Sequence, residues 1–256
     1  MNLLGTSFFR RLVWLTLFLA PIGYTANIFA VAVHEIVGHG LVAQLLGGRF
    51  IGFWMKSDGM GGAFAFAAAD APVSHSIIIL AGGVIATTLV GFILLVVAIV
   101  LRRWLLSRLV LLVLSAACLL EGPPYVFWNA YHPVPPGDIG RVFELCTLNG
   151  LADVTGLRWG LMIVGGGVTV TATFLLCLLS YRAIGEFLTG PHRMSRFQQC
   201  TVLLLFIAVP GAAAWFLFDW DQLTPGIGRV PDFVGATLML ATACVCTSCR
   251  PNRRPR

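Results

Sequence analysis

The dominant pattern along the chain is a series of nearly unbroken apolar runs. A helix needs about 20 such residues to cross roughly 30 Å of hydrocarbon at about 1.5 Å per residue. Six stretches meet or approach that length, approximately 24–47, 77–101, 104–120, 157–181, 197–218 and 233–249, the third and last being short. They predict six transmembrane helices. Ahead of the first, Leu12 to Ala20 is apolar but is followed by Pro21 and Gly23, which predicts a broken or interfacial lead-in. Phe64 and Phe66 stand two apart in Gly61-Gly62-Ala63-Phe64-Ala65-Phe66, a period that suits a strand as well as it suits a plain apolar loop.

Composition turns this pattern into a class. Hydrophobic residues make up 58% of the 256 and charged residues 11%, with a mean hydropathy of +0.88. A soluble fold carries about 25% charged residues to cover its surface. The expectation is therefore an all-α, polytopic membrane helix bundle with the lipid bilayer as its surroundings. The net charge of +6 does not point to nucleic acid, because the basic residues form small clusters between apolar runs and no basic stripe interleaves with aromatics. With six crossings, Arg10, Arg11, Arg102, Arg103, Arg108, Arg182, Arg193, Arg196, Arg250, Arg253, Arg254 and Arg256 share one side. Arg49, Lys56, Arg141, Arg158 and Arg229 lie opposite. The positive-inside rule then places both termini in the cytoplasm. Arg10 and Arg11 before an apolar stretch look like a signal peptide, yet no small-residue cleavage site follows, so a retained anchor is expected. The seven cysteines are odd in number and mostly lie in apolar stretches, so they read as packing residues. His75 and His192 fall between spans and read as solvated, and Gly165-Gly166-Gly167 as a helix-packing surface.

Chemistry concentrates in the first span, in Ala32-Val33-His34-Glu35-Ile36-Val37-Gly38-His39-Gly40. Three ionisable side chains within six membrane residues are expensive, which makes a functional site the default reading, the alternative being histidines that bond across the bundle beside a neutral Glu35. Two neutral imidazoles with a carboxylate beside the first are what a hydrolytic zinc centre uses: the rings bind Zn2+ and the glutamate takes a proton from the attacking water. A third ligand is needed. Asp138 is a candidate, in Asn129-Ala-Tyr-His132-Pro133-Val-Pro135-Pro136-Gly137-Asp138, where three prolines favour an extended backbone. An aspartate after Pro-Gly can equally be a helix N-cap. Glu121, just before Gly122-Pro123-Pro124, is either a supporting carboxylate or, more commonly, an acid at a helix end.

The spacing makes a structural demand. Positions five apart on a regular α-helix differ by about 140° in direction and about 7.5 Å in height, so His34 and His39 would diverge. Sharing one metal requires a π-bulge or a local break within residues 34 to 39, which Gly38 would ease.

These motifs resemble the site-2 protease family of intramembrane zinc metalloproteases. The family carries His-Glu-x-x-His on a membrane helix and, further along, Asn-x-x-Pro-x-Pro-x-x-Asp-Gly. Pro133-Val-Pro135-Pro136-Gly137-Asp138-Ile139-Gly140-Arg141 is similar to the second pattern, and Leu80-Ala81-Gly82-Gly83 looks like a degraded Ala-Gly-Pro motif. The resemblance implies His34, His39 and Asp138 as zinc ligands and Glu35 as general base. It also implies a membrane-embedded hairpin around Gly61 and Gly62 that presents substrate, with Asn129 as a further substrate-binding position. His132 would replace a ligand, hold substrate or make a loop hydrogen bond. The chain departs from the pattern in three places: one extra residue between the histidines, one extra between Asn129 and Pro133, and Ile139 where Gly is usual. The longer His-Glu-x-x-Gly-His spacing is similar to that of the soluble dipeptidyl peptidase III family.

The similarity covers roughly residues 24–145. It suggests a metalloprotease core at 1–149, followed by three additional transmembrane helices and a basic tail at 150–256. The implied activity is hydrolysis of a peptide bond in or near a membrane segment of another protein. The alternative is a non-proteolytic membrane metalloprotein, a regulator or transporter that retains a zinc site. A pure binding site, however, has no need of a base beside its first ligand.

Overall fold

The computed structural model describes residues 3–55, 61–101, 103–131, 137–151, 153–189 and 194–203. Within them the chain runs α1 (Leu3–Ala32), a π-helix (Val33–Leu41), α2 (Val42–Leu45), β1 (Arg49–Met55) and β2 (Gly61–Phe66). There follow α3 (Val73–Val100), α4 (Leu105–Tyr131), α5 (Asp138–Leu148), α6 (Val154–Thr189) and α7 (Arg196–Leu203). Four helical segments are long and apolar enough to cross a membrane: Phe8–Leu45, Val73–Val100, Leu105–Tyr131 and Val154–Thr189. The architecture is a polytopic helical bundle with one small sheet. Of the six expected spans, the first four correspond to these. The stretch 233–249 lies outside the described residues, as does 197–218 beyond α7.

The expected break at Pro21 is absent, because α1 runs through it and continues into the π-helix. Proline removes one N–H and crowds the carbonyl a turn earlier, but in hydrocarbon the chain has no better way to satisfy its backbone than to stay helical. The N-terminal half is also held by packing. Phe8, Leu12 and Leu15 are buried in a cluster with Leu109, Leu112 and Leu119 of α4 and Ala172, Leu176 and Ile184 of α6. Helix α4 likewise runs through Pro123 and Pro124, where the sequence suggests an end at 120. Neighbouring helices hold the weakened turn. A Cβ at Gly122 would lie 2.7 Å from Thr87 Oγ1 of α3, and one at Gly165 of α6 would lie 3.1 Å from the Pro123 carbonyl oxygen.

At the far end of the first span the chain reverses sharply. Gly47 has φ +74°, a conformation that glycine adopts without a Cβ penalty. Gly48 N–H bonds the Ala43 carbonyl at 2.8 Å and Gly47 N–H that of Gln44 at 3.1 Å, a Schellman ending. This turn delivers β1 back alongside the π-helix. Strands β1 and β2 pair antiparallel, from Arg49 opposite Phe66 to Met55 opposite Gly61, with a bulge between Phe50 and Gly52. The Phe64 and Phe66 stretch is thus a strand.

The two ends of the bundle differ in chemistry. Arg11 of α1 donates to the carbonyls of Phe187 and Leu188 in α6, each at 3.4 Å. Buried Arg108 at the start of α4 pairs with Glu186 of α6 at 3.2 Å. The hairpin, the π-helix and the start of α5 gather at the other end.

Candidate metal centre

His34, Glu35 and His39 all sit on the π-helix and are all buried, at 7%, 6% and 5% relative exposure. In this wide helix bonding runs from i to i+5, so positions five apart come round to one face. The ring centroids of His34 and His39 are 4.9 Å apart. The extra residue in the motif is absorbed by this local geometry.

Glycine explains why the π-helix lies so close to α3. A Cβ at Gly38 would collide with the backbone of Gly83 and lie 2.8 Å from the Gly82 carbonyl oxygen, while one at Gly82 would collide with the carbonyl of Gly38. A Cβ at Gly83 would run into the ring of His34. The Leu80-Ala81-Gly82-Gly83 motif is thus a backbone-to-backbone contact against which the His34 ring is seated.

Asp138 arrives from the opposite side as the first residue of α5. Gly137 precedes it in extended conformation, with ψ 154°. The Asp138 N–H, which has no partner within the helix at this position, donates to the Tyr125 hydroxyl at 2.9 Å. Gly137 holds the cap position, so the Asp138 carboxylate makes no cap bond and turns to the histidines. Oδ2 lies 3.3 Å from His34 Nε2 and 3.4 Å from His39 Nε2.

The donor set fits a metal. His39 Nδ1 is 2.7 Å from the Ile79 carbonyl oxygen, which can only accept, so Nδ1 carries the proton. In a neutral ring Nε2 is then a bare acceptor aimed at the Asp138 carboxylate. At His34, Nδ1 lies 3.0 Å from Glu121 Oε1 without meeting hydrogen-bond angles. Two ring nitrogens and a carboxylate oxygen converge within 4.8 Å of one another, an arrangement able to hold a cation between them. For bonds of about 2.1 Å, tetrahedral ligand atoms stand about 3.4 Å apart, which is the spacing that Asp138 Oδ2 keeps to both rings. Each ring also has an oxygen acceptor behind it, as ligating histidines almost always do.

Glu35 stands apart from the cluster of His34, His39 and Asp138. Its Oε2 is 3.9 Å from His39 Nε2 and buried, with no hydrogen-bond donor among the described residues. Strand β2 begins beside it: a Cβ at Gly61 would lie 3.2 Å from Glu35 Oε1 and 2.6 Å from Val31 Cγ1. Asn129 donates to the Tyr125 carbonyl at 3.0 Å, one turn back along α4. His132 and the three prolines 133, 135 and 136 lie outside the described residues.

Two side chains at the site carry more weight than the sequence suggests. Glu121 is not at a helix end, because α4 continues for ten residues beyond it to Tyr131. Tyr125, one turn further on, holds the start of α5. The available signal was the i, i+4 spacing of an acid and a tyrosine inside an apolar run, legible only if the helix is allowed through Pro123-Pro124.

With this geometry in view, residues 10–125 match the family described as Peptidase M50B-like. That stretch is under half of the chain, and over it the sequence is similar to the family. The match supports membership of the site-2 protease family and, with four apolar helices, an integral membrane protein of the metalloprotease class. The M50B-like stretch contains His34, Glu35, His39, Glu121 and Tyr125 and stops before Asp138. No curated protein and no solved structure matches the chain.

Proposed function

We propose that the protein is an intramembrane zinc metalloprotease that hydrolyses a peptide bond in or near a membrane segment of a substrate protein. The observation that carries this reading is the convergence of His34 Nε2, His39 Nε2 and Asp138 Oδ2, with Glu35 beside them but outside the set. His34, His39 and Asp138 would hold the ion. Zinc in such a site supplies Lewis-acid polarisation of a carbonyl and a water that is nucleophilic at neutral pH.

The remaining work falls to the chain's own side chains. Glu35 Oε2, buried and without a donor, accepts the proton of the attacking water and returns it to the leaving amine. Gly61 and Gly62 open β2 beside Glu35, where the lack of side chains leaves room for an extended substrate backbone. Asn129 and His132 are assigned to substrate contact. The positive-inside rule favours cytoplasmic termini, which puts the hairpin and metal site toward the far face. Residues 1–149 form the catalytic core in this reading, and 150–256 add further membrane helices.

The test is a comparison of membrane-protein fragments in cells expressing the native chain or Glu35→Gln, scored by sequencing new N-termini. New termini within or beside membrane segments, lost in Glu35→Gln, are expected. Identical termini in both would refute the reading.

A further inference from the structure

His39 and His34 are oriented by different means. Behind His39 stands the Ile79 carbonyl, a backbone group fixed by α3. Behind His34 stands a side chain, Glu121 of α4, with Oε1 3.0 Å from Nδ1. No other acceptor among the described residues reaches this nitrogen, although it is buried. Glu121 Oε2 is buried as well and meets no donor. The pair stands at hydrogen-bonding distance without meeting hydrogen-bond angles. Glu121 approaches the ring from the side away from Nε2, so it does not compete with Asp138 for the same face.

We propose that Glu121 is a positioning residue for the metal: it accepts the Nδ1–H of His34 and thereby turns the Nε2 lone pair of His34 toward His39 and Asp138. This rests on the metal site proposed above. A neutral imidazole has two tautomers, and only the one protonated at Nδ1 presents Nε2 to a metal. An acceptor behind the ring selects that tautomer, fixes the ring plane and makes the ligating nitrogen more basic. A carboxylate inside an apolar helix is costly in the membrane, and this contact accounts for its presence. Helix α4 thus steadies two of the three ligands, His34 through Glu121 and Asp138 through the Tyr125 hydroxyl one turn later.

The test uses the full chain in detergent with zinc alone as the probe. Zinc affinity is measured by competition with a chromogenic chelator for the native chain, Glu121→Gln, Glu121→Leu and His34→Ala. Helical content by circular dichroism serves as the fold control. Loss of such a supporting carboxylate typically weakens metal binding about 10–100-fold. Glu121→Leu is expected to show that loss with its helical content intact, whereas Glu121→Gln, whose amide oxygen still accepts, recovers most of the affinity. Equal affinity in Glu121→Leu and the native chain would overturn the proposal while leaving the metal site standing. A native chain that binds no zinc would instead overturn the metal site itself. If the leucine variant does not fold, the zinc-loaded native chain decides by nitrogen NMR of its histidines. A His34 metallated at Nε2 and protonated at Nδ1, with that proton's shift moved in Glu121→Gln, supports the role; a His34 bound through Nδ1 refutes it.

Discussion

His34 and His39 belong to one motif but depend on different neighbours, so they should fail differently. His39→Ala removes a ligand whose ring is held by backbone, and the site should lose its zinc without rearranging α3. Glu35→Gln removes only the proton acceptor. It should keep the metal, keep the thermal transition and lower the cleavage rate by about 10²–10⁴-fold, as expected when a general base is lost. A variant that cleaves normally would remove Glu35 from the mechanism. Gly83→Ala is a harsher change than its one methyl suggests, because the added Cβ would run into the His34 ring. Metal affinity, read by chelator competition, should fall in this variant by more than the helical content does.

At the scale of the element, the π-helix is what makes a five-residue spacing usable, and its neighbours decide whether it persists. Gly38 touches Gly82 and Gly83 backbone to backbone, so Gly38→Ala must push the π-helix away from α3. Overpacking of this kind costs about 1–3 kcal/mol, and thermal unfolding in detergent should register it. The need for a wide turn or a local break could be derived from the spacing of two histidines that share a metal, and the π-helix is the first of these. The continuation of α1 through Pro21 and of α4 through Pro123-Pro124 could not. Proline is read locally as a helix stop, whereas the packing of Gly122 on Thr87 and of Gly165 on Pro123 is a property of three helices together. Glu121 was undervalued for the same reason, since a helix ending at 120 would have left it outside the bundle. The hairpin is a third case: a two-residue period marks a strand but cannot show what pairs with it, and β1 carries no such alternation. Substituting Gly61 there with Val should crowd Glu35 and raise KM with zinc content unchanged.

The whole molecule separates two kinds of charge. Arg11, Arg108 and Glu186 tie α1, α4 and α6 together at one end, and the histidines, Asp138, Glu35 and Glu121 gather at the other. With the arginine end in the cytoplasm, a cysteine placed at Lys56 should react with an impermeant thiol reagent only from the non-cytoplasmic side. Labelling from the cytoplasm would invert the orientation. The central claim, however, is that three side chains from two distant parts of the chain, 99 residues apart between His39 and Asp138, hold one ion. The most direct measurement is the zinc content of the purified full chain by elemental mass spectrometry, alongside His39→Ala and Asp138→Ala. The account predicts about one zinc per native chain and its loss in both variants. Full occupancy in Asp138→Ala, or none in the native protein, would contradict it.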